Sequence, residues 1–99
     1  MREFLVGFIK LHILHHAAEG PVYGLEMIEE LGRHGYQVSP GTLYPTLHAL
    51  EDAGLVRREE QVIGGRVRKY YRATSAGRRL LAQVRPRIRE LVDEVVGSG

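Results

Sequence analysis

The sequence predicts a mainly α protein with one small β-hairpin, and three observations carry that expectation. Apolar residues recur at helical spacing through most of the chain. A Gly64-Gly65 pair separates two strand-like runs. A final amphipathic segment then runs longer than a compact domain of this size is wide. With 99 residues the chain makes one domain, able to bury roughly two thirds of its unfolded surface. Hydrophobic residues at 43% and charged residues at 26% are ordinary for a soluble globular protein. The absence of cysteine excludes a disulfide framework and thiol chemistry, and is compatible with a reducing cytoplasm, the expected location.

Residues 3–18 read as the first helix. Phe4, Leu5, Val6, Phe8, Ile9, Leu11, Ile13 and Leu14 cover nearly its whole circumference. A helix apolar all round is buried on two sides. One side meets its own domain, and the other is expected to meet a second copy of the chain. Lys10 and His12 interrupt the apolar run, which is too short to span a bilayer, so neither a secretory signal nor a membrane partner is expected.

Gly20-Pro21 is a break, and residues 22–34 form the second helix. Leu25, Ile28 and Leu31 make its apolar side, with Glu26, Glu29, Glu30 and Arg33 outward. A four-residue turn, 35–38, leads to a third helix at 39–53. Ser39 suits the N-cap and Pro40 the first helical position, where its missing N–H costs nothing. Leu43, Leu47 and Leu50 line the inner face, and Gly54 closes the helix in the left-handed conformation. On the outer face lie Gly41, Pro45 and His48, flanked by Thr42 and Tyr44. No acidic residue occurs from Ser39 to Leu50, so this face can lie against a polyanion without repulsion. Helix, short glycine-containing turn and capped second helix together make a helix-turn-helix pattern.

Net charge is only +2, but its placement is uneven. Residues 1–54 hold three cations against seven acids, net −4. Residues 55–74 hold six cations against two acids, net +4, and residues 75–99 hold five against three, net +2. The positive block coincides with the hairpin at 55–74, whose Gly-Gly turn supplies the positive φ angles a tight turn needs. Arg66 and Arg68 are two apart and share one face of its second strand. A basic hairpin directly after a helix-turn-helix is a wing. Residues 1–74 are therefore expected to form a winged helix-turn-helix DNA-binding domain.

Residues 75–99 form the last segment, capped by Thr74-Ser75 and helical to about Val96, roughly 33 Å long. Leu80, Val84, Ile88, Leu91 and Val95 recur at gaps of three and four and make a seam for a partner helix. Pro86 lies inside it and predicts a kink. With Leu5 and Phe8 of the first helix, this seam is the expected homodimer interface.

Tyr23-Gly24, the run Ser39-Pro40-Gly41-Thr42-Leu43-Tyr44-Pro45 with Leu50-Glu51 and Gly54-Leu55-Val56, and Arg68-Lys69-Tyr70-Tyr71 before Thr74 and Gly77 stand in order. This set resembles the PadR family of bacterial transcriptional regulators across most of residues 5–80. The resemblance implies a dimeric winged helix-turn-helix protein, usually a repressor, whose last helix crosses to the partner and packs with helix one. The single final helix matches the short subfamily. Several short members hold aromatic or cationic drugs with a tryptophan of the last helix. This chain has no tryptophan, so no ligand residues are carried over and any small-molecule effector is unidentified.

The expected partner is double-stranded DNA at a pseudo-palindromic operator. Ser39, Gly41, Thr42, Tyr44, Pro45 and His48 would approach it in the major groove, and Arg66, Arg68 and Lys69 would grip backbone or minor groove. Two other classes compete. His12 and His16, one turn apart on helix one, suggest a metal-responsive sensor, although the favoured reading includes no metal and no cofactor. Winged helices also serve as protein-docking modules. An enzyme is not expected, since no paired carboxylates in a pocket, no nucleophile with its base and no phosphate loop occur.

Overall fold

A computed structural model describes residues 2–97; the last two residues of the predicted 75–99 segment lie outside it. The element order is α1 (Arg2–Glu19), β1 (Val22–Tyr23), α2 (Gly24–Arg33), α3 (Pro40–Asp52), β2 (Val56–Ile63), β3 (Arg66–Ala73) and α4 (Ser75–Val95). The strands make one antiparallel sheet in the order β1-β3-β2.

Two expectations are corrected at α2. The helix starts at Gly24, because Val22 and Tyr23 pair with Tyr71 and Tyr70 as a third strand. Extended backbone after Gly20-Pro21 places these two β-favouring residues along the otherwise bare edge of β3. The buried side of α2 is then Gly24, Met27 and Leu31, while Leu25 is 70% exposed.

The core lies where α1, α2 and α3 meet the sheet. Ile9, Ile13, Leu14 and Ala17 of α1 pack with Met27, Leu31, Val38, Leu43, Leu47 and Leu50, and Val56, Tyr71 and Leu81 close the other side. Each fully buried leucine contributes roughly 1.5–3 kcal/mol of transfer free energy. Alternation along β3 decides the fates of its two tyrosines: Tyr71 points into the core and Tyr70 away from it.

A compact junction ties the end of α3, the hairpin and α4 together. Gly54, at φ +74°, ends α3, and the Leu55 N–H donates back to the Leu50 carbonyl. Thr74 donates its backbone N–H to the Leu55 carbonyl and its hydroxyl to the Gly54 carbonyl. The same hydroxyl accepts from the Gly77 N–H as the N-cap of α4. Gly77 sits directly against the Leu55 carbonyl oxygen, with Leu14 Cδ1 also close, and a Cβ there would overlap that oxygen.

Beyond Leu81, α4 runs as one uninterrupted helix through Pro86 and away from the domain. The molecule is accordingly elongated, 55 × 29 × 20 Å. Among the described residues, no helix is long and apolar enough to cross a membrane.

Candidate nucleic-acid interface

Helix α3 presents two chemically distinct sides. Leu43, Thr46, Leu47 and Leu50 are buried, while Ser39, Gly41, Tyr44, Pro45 and His48 are exposed and Thr42 lies between. Ser39 occupies the N-cap in extended conformation, but its hydroxyl makes no cap bond. It faces the Thr42 hydroxyl instead, at 3.5 Å. Pro45 has no N–H to give the Gly41 carbonyl, so the outer face keeps a free backbone acceptor. One residue on, the Thr46 hydroxyl donates to the Thr42 carbonyl at 2.7 Å.

Tyr44 has a double role. Its ring lies on Gly24 at the start of α2, with Cζ 2.7 Å from where a Cβ would stand. The side chain is nevertheless 37% exposed, so one edge braces the two helices and the other faces outward. Both residues stand within the family-like runs of the sequence, but only the folded chain shows that they touch.

The hairpin carries its charge in two zones. Near the domain, the Glu59 carboxylate accepts from Arg57 Nη2 at 2.8 Å and from the Tyr70 hydroxyl at 2.7 Å, with Arg72 Nε 3.8 Å away. The Tyr70 hydrogen bond, then that from Arg57, holds the Glu59 carboxyl below its usual range; the same Glu59 bond raises the Tyr70 phenol. Arg58 lies 3.7 Å from Glu51 of α3. Two carboxylates thus stand among these three arginines and offset part of their charge. At the tip, Arg66, Arg68 and Lys69 are exposed and make no ion pair among the described residues.

Gly64 and Gly65, both at positive φ, form the tight turn that brings Ile63 opposite Arg66 and Gln61 opposite Arg68. Arg66 and Arg68 share one face, and Lys69 lies on the other, across from Glu60. Val62 and Val67 oppose each other on that second face, 70% and 60% exposed. Charge and motif spacing pass over this apolar pair, although the period-two alternation of the strands carries its signal.

The seven residues expected at a dimer interface differ in exposure, and Leu80 packs against the domain's own core. Leu5, Leu80, Val84 and Ile88 are half-buried, and Phe8, Leu91 and Val95 are exposed.

Helix-turn-helix followed by a two-stranded wing defines a winged helix-turn-helix DNA-binding fold. Residues 13–83 match the transcriptional regulator PadR-like family. The chain is 56% identical over 98 residues to the transcriptional regulator Rv3488 of Mycobacterium tuberculosis, covering 99% of this chain and 92% of that protein. Solved structures agree. A PadR family transcriptional regulator from Eggerthella lenta DSM 2243 superposes with a TM-score of 0.81 at 35% identity, covering 94% of this chain and 82% of that one. A PadR-like transcriptional regulator from Bacillus cereus gives 0.80 at 26% identity, over 98% and 99%. The chain belongs to the PadR-like family of transcriptional regulators, and is a DNA-binding regulator rather than an enzyme.

Proposed function

We infer that the protein is a homodimeric repressor whose α3 enters the major groove of a pseudo-palindromic operator while the hairpin tip grips the flanking backbone. One observation carries this reading. From Ser39 to Leu50 the outer face of α3 is exposed and free of acids, with Asp52 only at its far end, and the nearby hairpin ends in three cations that make no ion pair among the described residues. Ser39 and the helix N-terminus suit a phosphate, Gly41 allows close approach, and Thr42, Tyr44 and His48 offer hydrogen bonds to base edges or phosphates. Arg57, Arg58 and Arg72 are engaged by Glu59 and Glu51, which leaves Arg66, Arg68 and Lys69 as the cations of the hairpin without an ion pair among the described residues. Repression follows from occupying the promoter, and two-fold symmetry sets the half-sites a whole number of turns apart, about 10 base pairs each. Release by a small molecule fits the same scheme, with no residues assigned to it.

Dimerisation through α1 and α4 is supported by the uncovered apolar side chains of both helices and by a helix that outruns its own domain. The test is binding of the full chain to the DNA upstream of its own gene across a range of salt concentrations. Wild type should prefer that DNA over unrelated duplex. Replacing Arg66 and Arg68 by alanine should flatten the salt dependence by about 0.9 in slope for each phosphate that is no longer neutralised. An unchanged slope removes the wing assignment, and no sequence preference at physiological salt removes the regulator.

A further inference from the structure

Three of the five histidines converge outside the DNA-facing surface. His12 and His16, one turn apart on α1, meet His34, the residue that caps the C-terminus of α2. One ring nitrogen from each lies within 4.8 Å of the other two. The rings of His12 and His34 stack with centroids 5.0 Å apart, and Tyr36 stands edge-on to His12 at 5.3 Å. Glu30 stands beside two of the three: its Oε1 is 3.2 Å from His34 Nε2 and 3.6 Å from His16 Nε2. Arg33 pairs with the other oxygen, Oε2, which leaves Oε1 turned toward the imidazoles.

We propose that His12, His16 and His34, with Glu30 Oε1 as fourth donor, form a binding site for a divalent transition metal of the zinc type. Three imidazoles and a carboxylate make a donor set suited to tetrahedral zinc, cobalt or copper, and the hard-cation alternatives calcium and magnesium prefer all-oxygen sites. Without a metal the cluster is a poor arrangement. Burial, then the neighbouring His34, His16 and His15, pushes the His12 imidazole below its ordinary pKa, and only Glu30 acts in the opposite sense. A neutral ring with a lone pair is the form a metal takes. Tetrahedral ligands at about 2.0–2.1 Å stand about 3.4 Å apart, so nitrogens now within 4.8 Å of one another draw together on binding, and the Glu30 carboxylate moves in with them. His34, at a helix end and half exposed, has the freedom to supply that movement. Arg33 on the outer carboxylate oxygen serves as the supporting hydrogen bond that orients a ligand.

The ligands come from two elements distant in sequence, so an ion would clamp α1 onto the end of α2, immediately before the turn leading to α3. The neighbouring trio His15, His16 and Glu19 lies along a single helix face and lacks that second element. Site and DNA surface are independent: metal binding is read without DNA, and its failure leaves the operator assignment standing.

The experiment is titration of the tag-free, chelator-treated full chain with cobalt(II) at neutral pH. One cobalt per protomer should bind with the visible absorption of a tetrahedral centre and be displaced by zinc(II). His34→Ala and His16→Ala should each weaken binding by at least the roughly 10–100-fold that loss of a mere supporting residue costs. His15→Ala should leave binding unchanged. Neither His34 nor His16 is buried, and a melting curve taken in chelator confirms equal folding of the variants. Absence of the tetrahedral spectrum, an unaffected His34→Ala variant, or loss of binding in His15→Ala would each overturn the site.

Discussion

Gly77 shows how closely single residues constrain this fold. Alanine in a helix interior is ordinarily favoured over glycine by about 1 kcal/mol. Here the added methyl would meet the Leu55 carbonyl oxygen, which is held by the Thr74 N–H, and the crowded Leu14 methyl. Overpacking costs typically 1–3 kcal/mol, so Gly77→Ala should lower stability despite its better propensity, read as a lower denaturant midpoint with unchanged slope. His12 sets a pH dependence. Its folded pKa lies below the ordinary value near 6.5, so on acidification the unfolded chain takes up that proton first. The stability associated with neutral His12 is present above about pH 6.5 and is lost as pH falls toward the folded pKa. The groups facing it are His15, His16, His34, Glu30 and Tyr36. Thermal melts should therefore weaken just below neutrality, and His12→Gln should remove that step while leaving the deeper acid loss from Glu30 and Glu59.

At the scale of the element, α3 sets a core residue beside an exposed one that the proposed function assigns to DNA. Leu47 is fully buried and His48 exposed. Leu47→Ala should destabilise the protein by about 2–5 kcal/mol. His48→Ala should change stability by no more than about 0.5 kcal/mol while weakening operator binding, measured by denaturation and by DNA titration respectively. Helical periodicity, Ser39-Pro40 and Gly54 make this helix legible in the chain, and the Gly-Gly turn does the same for the hairpin. Strand β1 is not legible, because two residues are too short for any period and owe their conformation to the edge of β3. Leu25 shows the same limit: Leu25 stands one helical turn from Ile28 and Met27 one turn from Leu31, and only packing on the core decides that Met27 turns inward and Leu25 outward. The ion-paired base of the wing is equally hidden, since charge counts cannot tell paired arginines from free ones. His12 and His16 stand out by spacing, whereas His34 joins them only through the packing of α1 on α2.

The whole molecule leaves apolar side chains of α1 and α4 uncovered, among them Phe4, Phe8, Leu91 and Val95. A second copy seated there through α1 and α4 would bury them. Ile88→Glu should then turn a dimer into a folded monomer by sedimentation, and with it abolish tight operator binding. A variant that remains dimeric would place the interface elsewhere.

The junction at Gly54, Leu55, Thr74 and Gly77 gives that assembly a mechanical property. It fastens the foot of α4 to the tail of α3 through backbone atoms, with no flexible side chain interposed except the short Thr74 hydroxyl. In a dimer joined along α4, each long helix becomes a torsion bar gripped at one end by its own reading head. A small roll between the paired bars would then pass to both heads and change the distance between them. On the proposed reading, anything lodged against the bars, far from the DNA, would retune which operator spacing the protein fits.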